Sequence, residues 1–135
     1  MLLEEFDPSE TAVINPWNLL RPVEGMPETA IACYSHATFE RIVGELEAQR
    51  LAETSSANGI CPIYKANYKG TAVALFMMTV GAPMSAAMLE DVFRMGVRRV
   101  IVFGTCGVLD STIDDCSIII PDSAVRDEGT SYHYA

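Results

Sequence analysis

The sequence predicts an α/β fold in which a mostly parallel or mixed sheet is flanked by helices. Short apolar runs rich in β-branched residues alternate with stretches of helical periodicity, as they do in strand–helix–strand units. One such run, "VIVFGTCGV" at 100–108, passes abruptly from apolar residues into glycine. In folds of this class, ligands bind at the carboxyl ends of the strands. The sequence therefore predicts both a sheet and the edge of that sheet at which to look for a site.

Residues 1–28 are predicted to form an N-terminal arm lying on the surface of a core. Four prolines in this stretch exclude a long helix or a central strand. They are Pro8, Pro16, Pro22 and Pro27. We expect Trp17, Leu19 and Leu20 to anchor the arm, and we expect the domain proper to span 29–135.

The domain is predicted to begin with a buried strand at 29–34, followed by an amphipathic helix at 37–51. The polar run "ETSSANG" then separates this helix from two strands, 62–68 and 71–79. Lys69-Gly70 joins those strands in a predicted hairpin.

A second helix is predicted for 83–95, because Pro83 suits a first helical turn and Gly96 suits a helix end. A strand at 99–103 follows directly. Asp114-Asp115 is predicted to form a turn that leads into a last strand, Ser117 to Pro121.

The composition excludes several classes of partner. The net charge is −9, from 18 acidic and 9 basic residues, which disfavours nucleic acid and anionic membranes. The four cysteines form no CxxC pair, so we expect no metal site. The acidic start of the chain, with Glu4, Glu5 and Asp7, and the lack of a long apolar stretch predict a cytoplasmic protein.

Two strand ends carry the candidate binding residues. Glycines allow a backbone to approach a ligand closely and to point N–H groups at an anion. One end has Val80 and Gly81; the other has Gly104, Thr105, Cys106 and Gly107. A shared ligand crevice is one interpretation, and two plain strand-to-loop connections are the other.

Cys106 is a nucleophile candidate only if a base accompanies it. The two histidines, His36 and His133, have no informative spacing to it, which favours a structural thiol. No catalytic residue is assigned from the sequence.

Three motifs occur in one order from Val80 to Tyr134. A glycine-rich turn precedes a helix of small residues, a strand ends in G-[ST]-x-G at 104–107, and "VRDEGTSYHY" at 125–134 fits V-R-x-[DE]-G-x-S-x-H-[FY]. In these features the chain resembles the nucleoside phosphorylase superfamily, most closely its uridine phosphorylase branch.

The resemblance implies a pentosyltransferase of nucleoside salvage that needs no cofactor. The family converts a nucleoside and inorganic phosphate, its co-substrate, into a free base and ribose 1-phosphate. Thr105 would correspond to the hydroxyl that contacts phosphate and ribose. Cys106 and Gly107 would line the base side, and Val80 would pack near the sugar.

The chain departs from the family at the arginines that hold phosphate. Val102 stands three residues before Thr105, where one arginine is expected. Thr38 takes the place of another, because the G-D-P-x-R turn reads Tyr34-Ser35-His36-Ala37-Thr38 here. A third arginine, lent by a neighbouring subunit in the family, would fall near Asn58-Gly59. Arg41 and Arg126 are the candidate replacements, although surface or structural roles are the simpler interpretation.

The resemblance also implies that the chain covers roughly the amino-terminal half of the family's domain. We therefore expect the chain to form a homo-oligomer. We also expect this 135-residue form to be inactive on its own. Two other functions stay open from the sequence: a nucleosidase that uses water instead of phosphate, and a non-catalytic module for nucleoside binding or oligomerisation.

Overall fold

The computed structural model describes residues 9–113 and 118–134. The chain divides into two compact units, Met1–Gly104 and Thr105–Ala135. The first unit contains α1 (Pro16–Leu19), β1 (Thr29–Cys33), α2 (His36–Glu45), β2 (Gln49–Ser56), β3 (Gly59–Tyr68), β4 (Thr71–Met77), α3 (Ala82–Met95) and β5 (Arg99–Phe103). The second contains a short 3-10 helix, Ser131–His133.

One five-stranded mixed sheet organises the first unit, in the order β2-β3-β4-β1-β5. Strands β4, β1 and β5 are parallel, whereas β3 is antiparallel to both β2 and β4. Ala32 of β1 pairs with Phe76 of β4 on one side and Val102 of β5 on the other. The predicted α/β class is confirmed.

Helices cover both faces of this sheet. On one face, Phe76 and Ile63 pack with Val92 of α3. On the other face, Leu75 packs with Phe39 of α2. Strand β4 is therefore buried on both sides, which explains its continuous apolar run.

The arm that precedes β1 packs on the α3 face through Leu20, Val23 and Met26. The backbone N–H of Val23 donates a 2.9 Å hydrogen bond to the last carbonyl of α3. Of the expected anchors, Leu20 is confirmed, whereas Trp17 is 51% exposed and Leu19 is 75% exposed. The predicted boundary at residue 28 stays a prediction.

The predicted helix at 37–51 is wrong in its second half. Helix α2 ends at Glu45, and Glu47 adopts a left-handed backbone conformation with φ 48°. From Gln49 the chain forms β2 instead, which pairs antiparallel with β3. The run "ETSSANG" is thus the end of β2 and the turn into β3, because long-range pairing overrides the local helical pattern.

The last predicted strand is also not observed. Ile118 to Pro121 have no regular secondary structure in the described part of the chain. Ser117 and the predicted turn at Asp114-Asp115 lie outside the described residues. The side chain of Ile118 is exposed, which is consistent with a β-branched run that has no strand beside it among residues 105–113 and 118–134.

The remaining predicted elements are found within a few residues of their expected bounds. The strand at 99–103 and the helix at 83–95 match β5 and α3, and the hairpin at Lys69-Gly70 joins β3 to β4. Among the helices that the structure describes, none has the length and apolar character needed to span a bilayer.

Candidate functional site

Three neighbouring strands end at the same edge of the sheet. Strands β4, β1 and β5 run in one direction, and Cys33 at the end of β1 pairs with Met77 and Phe103 at the ends of the other two. The segments that leave this edge contain Val80 and Gly81 after β4, and Gly104 after β5. The structure therefore brings these three predicted residues to one strand-end edge.

Tyr34, the first residue after β1, connects the two glycine turns. A Cβ placed on Gly104 would lie 3.1 Å from Cδ2 of Tyr34, so the ring lies against that glycine. At its other end, the Tyr34 hydroxyl lies 3.1 Å from Oγ of Ser85 in the first turns of α3. The backbone N–H of Ser85 in turn donates to the carbonyl of Gly81 at 3.0 Å. One side chain thus spans the crevice between Gly81 and Gly104.

Gly81 shapes the start of α3. Its φ of 107° and ψ of 132° are rarely adopted by residues with a side chain. Because glycine has no side chain to cap the helix and Pro83 has no N–H, the backbone N–H groups of Ala82 and Met84 are left to water or to a ligand. Together with the helix dipole, these donors suit an anionic or polar ligand group. Val80 beside them is 82% exposed.

The other predicted site residues belong to the second unit. Thr105, Cys106 and Gly107 are exposed and have no regular secondary structure. Cys106 is a free cysteine. Their participation in a site with Val80 and Gly81 stays a prediction.

The positions expected to hold phosphate-binding arginines carry no charge. Val102 lies on the edge strand β5 and is 51% exposed. Thr38 lies in the first turn of α2, where its backbone N–H donates to Oγ of Ser35 at 3.4 Å. Of the replacement candidates, Arg41 forms an ion pair with Glu45 at 2.9 Å.

Arg126 is held inside its own motif. Its Nε donates to Oγ of Ser131 at 3.0 Å, and its guanidinium lies 4.9 Å from the ring centre of Tyr132. The backbone N–H of Ser131 donates to the carboxylate of Glu128. Hydrogen bonds from Ser131 lower the pKa of Glu128 to about 2. The motif at 125–134 is thus a local hydrogen-bonded structure that already uses its arginine.

A cavity of about 670 Å³ lies in the first unit beside the crevice. The β2–β3 hairpin forms one wall and α3 forms another. Burial and the neighbouring Glu90 raise the pKa of Asp91 in this cavity. Burial also raises the pKa of the Cys61 thiol, against the lowering effects of hydrogen bonds with the Met77 backbone and the Thr54 side chain.

This cavity is distinct from the predicted cradle. Among the described residues that line it, Thr79 lies next to the cradle, but Val80, Gly81 and Gly104 are absent. The sequence does not predict this cavity, because its pattern indicates a helix and a loop where β2 forms part of the wall. No group of three or more histidine, cysteine or acidic side chains that fits a metal ion occurs within residues 9–113 and 118–134.

Comparisons with known proteins agree with the fold. Residues 28–135 match the family model described as the phosphorylase superfamily. A guanosine phosphorylase from Halorubrum lacusprofundi is 30% identical over 83 residues, which are 62% of this chain and 34% of that protein. A uridine phosphorylase from Thermococcus kodakarensis is 33% identical over 67 residues, which are 50% of this chain and 24% of that protein.

A solved structure shows the same fold. The crystal structure of uridine phosphorylase from Vibrio fischeri superposes with a TM-score of 0.57 at 23% identity, covering 79% of this chain and 42% of that one.

The strand order and the glycine turns at one sheet edge define an α/β chain with a candidate site at the strand ends. Because the family model covers most of its length, the chain belongs to the phosphorylase superfamily, and the resemblance to nucleoside phosphorylases is confirmed. The matched part of the chain spans 34% of the length of the guanosine phosphorylase.

Proposed function

We propose that this chain supplies the nucleoside cradle of a nucleoside phosphorylase with a uridine-like substrate. One observation carries the proposal: within the region that matches the family, the Gly81 and Gly104 turns open at the same sheet edge and are tied together through Tyr34. The relatives named above are a guanosine phosphorylase and a uridine phosphorylase, which supports a nucleoside as ligand without deciding its base.

Each cradle residue has a proposed role in phosphorolysis. A phosphate oxygen attacks C1′ of the ribose while the bond from C1′ to the base nitrogen breaks, and the base leaves with the electron pair. Gly81 and Gly104 allow the ligand to approach the backbone closely. Val80 packs against the sugar, Thr105 donates a hydrogen bond to ribose or phosphate, and Cys106 with Gly107 lines the base side. The reaction needs phosphate as a co-substrate and no cofactor.

This chain lacks cationic side chains at the positions expected to bind phosphate. Placed cations would stabilise the anion and align it for attack. Thr38 and Val102 offer no such charge, and Arg41 is already paired. We therefore infer that the chain on its own binds a nucleoside but does not turn it over.

A nucleosidase is the second candidate. The uncharged residues Thr38 and Val102, at positions where arginines are expected, favour it. An enzyme that uses water as the nucleophile keeps the ribose and base contacts but has no need of phosphate ligands. Ribose release measured with and without phosphate separates the two reactions.

Self-association is part of the proposal, within a cytoplasmic role in nucleoside salvage. The outer edge of β5 has no neighbouring strand in the described sheet, and Ile101 and Phe103 on it are exposed. An unpaired, apolar strand edge favours association with another chain. A homo-oligomer would cover this edge.

Isothermal titration of uridine into the chain tests the proposed function. Saturable binding by the natural chain, weakened in a Thr105→Val variant, supports the cradle. Thr71→Val makes the same substitution at an exposed position at the start of β4, outside the cradle, and is the control that should leave binding unchanged. Equal affinity of the natural chain and Thr105→Val would contradict the role of Thr105, and no binding of uridine or guanosine would contradict the cradle.

A further inference from the structure

Tyr34 occupies the crevice in a way that limits what can bind there. Its ring contacts the Gly104 side and its hydroxyl reaches Ser85 on the α3 side, so the side chain lies across the gap. Tyr34 is 36% exposed, which leaves part of its surface open to a ligand.

The direction of the hydrogen bonds can be assigned from the partners. Oγ of Ser85 lies 2.7 Å from the carbonyl oxygen of Thr79, which can only accept. The single hydroxyl proton of Ser85 is therefore donated to Thr79. The 3.1 Å bond between Tyr34 and Ser85 must then be donated by the Tyr34 hydroxyl. The phenolic oxygen has no proton left to offer a ligand and retains only its acceptor lone pairs.

These contacts disfavour phosphate and favour a neutral hydroxyl. Phosphate is held mainly by hydrogen-bond donors and cations, and the phenolic oxygen supplies neither, so it contributes nothing to holding the anion. The ring also takes up space beside Gly104 that an anion would need in order to reach the backbone. A hydroxyl group of a sugar, in contrast, can donate to the phenolic oxygen.

We propose that Tyr34 is a specificity-determining residue of the crevice: it excludes inorganic phosphate from the Gly104 end and accepts a hydrogen bond from a ribose hydroxyl. This inference rests on the proposed nucleoside cradle and extends it, because it assigns a sugar-selective role to a residue outside the predicted site. Of the two reactions proposed above, exclusion of phosphate favours the one that uses water.

Phosphate titrations of Tyr34 variants test the exclusion. Tyr34→Ala should bind inorganic phosphate about tenfold more tightly than the natural chain, the effect of one regained hydrogen bond to an anion. Tyr34→Phe keeps the ring and should leave phosphate affinity low. Tyr68→Ala is the matched control, because Tyr68 is also an exposed tyrosine but pairs with Thr71 at the opposite edge of the sheet.

Ser85→Ala gives a second, independent variant. It leaves the ring in place and frees the Tyr34 proton, so phosphate affinity should rise about threefold through the new donor. Circular dichroism confirms that each variant keeps the fold. Phosphate affinity that stays at the natural level in both Tyr34→Ala and Ser85→Ala would overturn the exclusion.

A uridine titration of Tyr34→Phe tests the sugar contact. Loss of the acceptor oxygen should weaken uridine binding about fivefold. Undiminished uridine affinity in Tyr34→Phe would overturn the ribose contact. Failure of the natural chain to bind any nucleoside would instead contradict the proposed function, while the phosphate titrations would still decide whether Tyr34 excludes the anion.

Discussion

Replacing Gly81 with alanine should destabilise the first unit by about 1–3 kcal/mol, the usual cost of holding a residue with a side chain in a sparsely populated backbone region. Gly81 has φ 107° at the start of α3. A Cβ added there meets no atom within 4 Å among the described residues, so steric contact adds nothing to the cost. The predicted loss therefore comes from the backbone alone.

Urea unfolding followed by far-ultraviolet circular dichroism measures this effect. Gly44→Ala is the matched control: Gly44 lies inside α2, and an added Cβ there also meets nothing within 4 Å in the described part of the chain. Because alanine favours a helix interior, Gly44→Ala should stabilise the chain by about 0.5–1 kcal/mol. The two variants should shift the midpoint in opposite directions. A Gly81→Ala variant as stable as the natural chain would refute the inferred turn conformation.

Three further predictions follow from the site. Thr105→Val should weaken nucleoside affinity about fivefold in a calorimetric titration, the effect of one hydrogen bond, and an unchanged affinity would contradict its role. The natural chain should bind inorganic phosphate at millimolar concentration or more weakly, and a micromolar affinity by calorimetry would contradict the loss of the arginines. Light scattering should show at least a dimer, and a stable monomer at micromolar concentration would contradict the homo-oligomer.

The carboxylate of Glu128 gives a pH prediction. Hydrogen bonds from Ser131 lower its pKa to about 2, so the charged form is favoured in the folded segment. The stabilisation of the folded segment by this contact is complete at pH values above the ordinary glutamate pKa. It is lost as the pH falls through about 2. The amide chemical shift of Ser131 should titrate with that midpoint. A midpoint at the ordinary glutamate value would show that the hydrogen bond does not persist in solution.

The sequence predicted the elements whose local pattern and tertiary role agree. Strand β5 combines a β-branched run with a glycine directly after it, and its predicted bounds are those observed. Helix α3 has a proline in its first turn and ends before Gly96, whose φ of 129° suits only glycine. At both places, the start or stop is fixed by residues next to each other in the chain.

Strand β2 could not be predicted in the same way. Its residues are mostly polar and exposed, with Thr54 buried, so neither an alternating nor a continuous apolar pattern marks it. Leu51 also continues the helical spacing of α2. The strand exists because β3 offers it a partner, which is a long-range interaction that local patterns do not contain.

The candidate site was predicted in part. The rule that ligands bind at strand ends placed Gly81 and Gly104 correctly at one edge of the sheet. The contribution of Tyr34 and Ser85 depends on distances across three strands and a helix, so no spacing in the sequence indicates it. Tyr34 belongs to the strand predicted at 29–34, whereas the structure ends β1 at Cys33 and places that strand between the two that precede the glycines.

Amide chemical shifts recorded while uridine is added to the isotope-labelled chain test most directly whether the crevice is a nucleoside site. The proposal predicts saturable shifts of the amides at 80–82, 84–85 and 104–107, with Tyr68 at the opposite edge unchanged. Shifts confined to the cavity around Asp91 and Cys61, or no shifts at high uridine concentration, would contradict the nucleoside cradle.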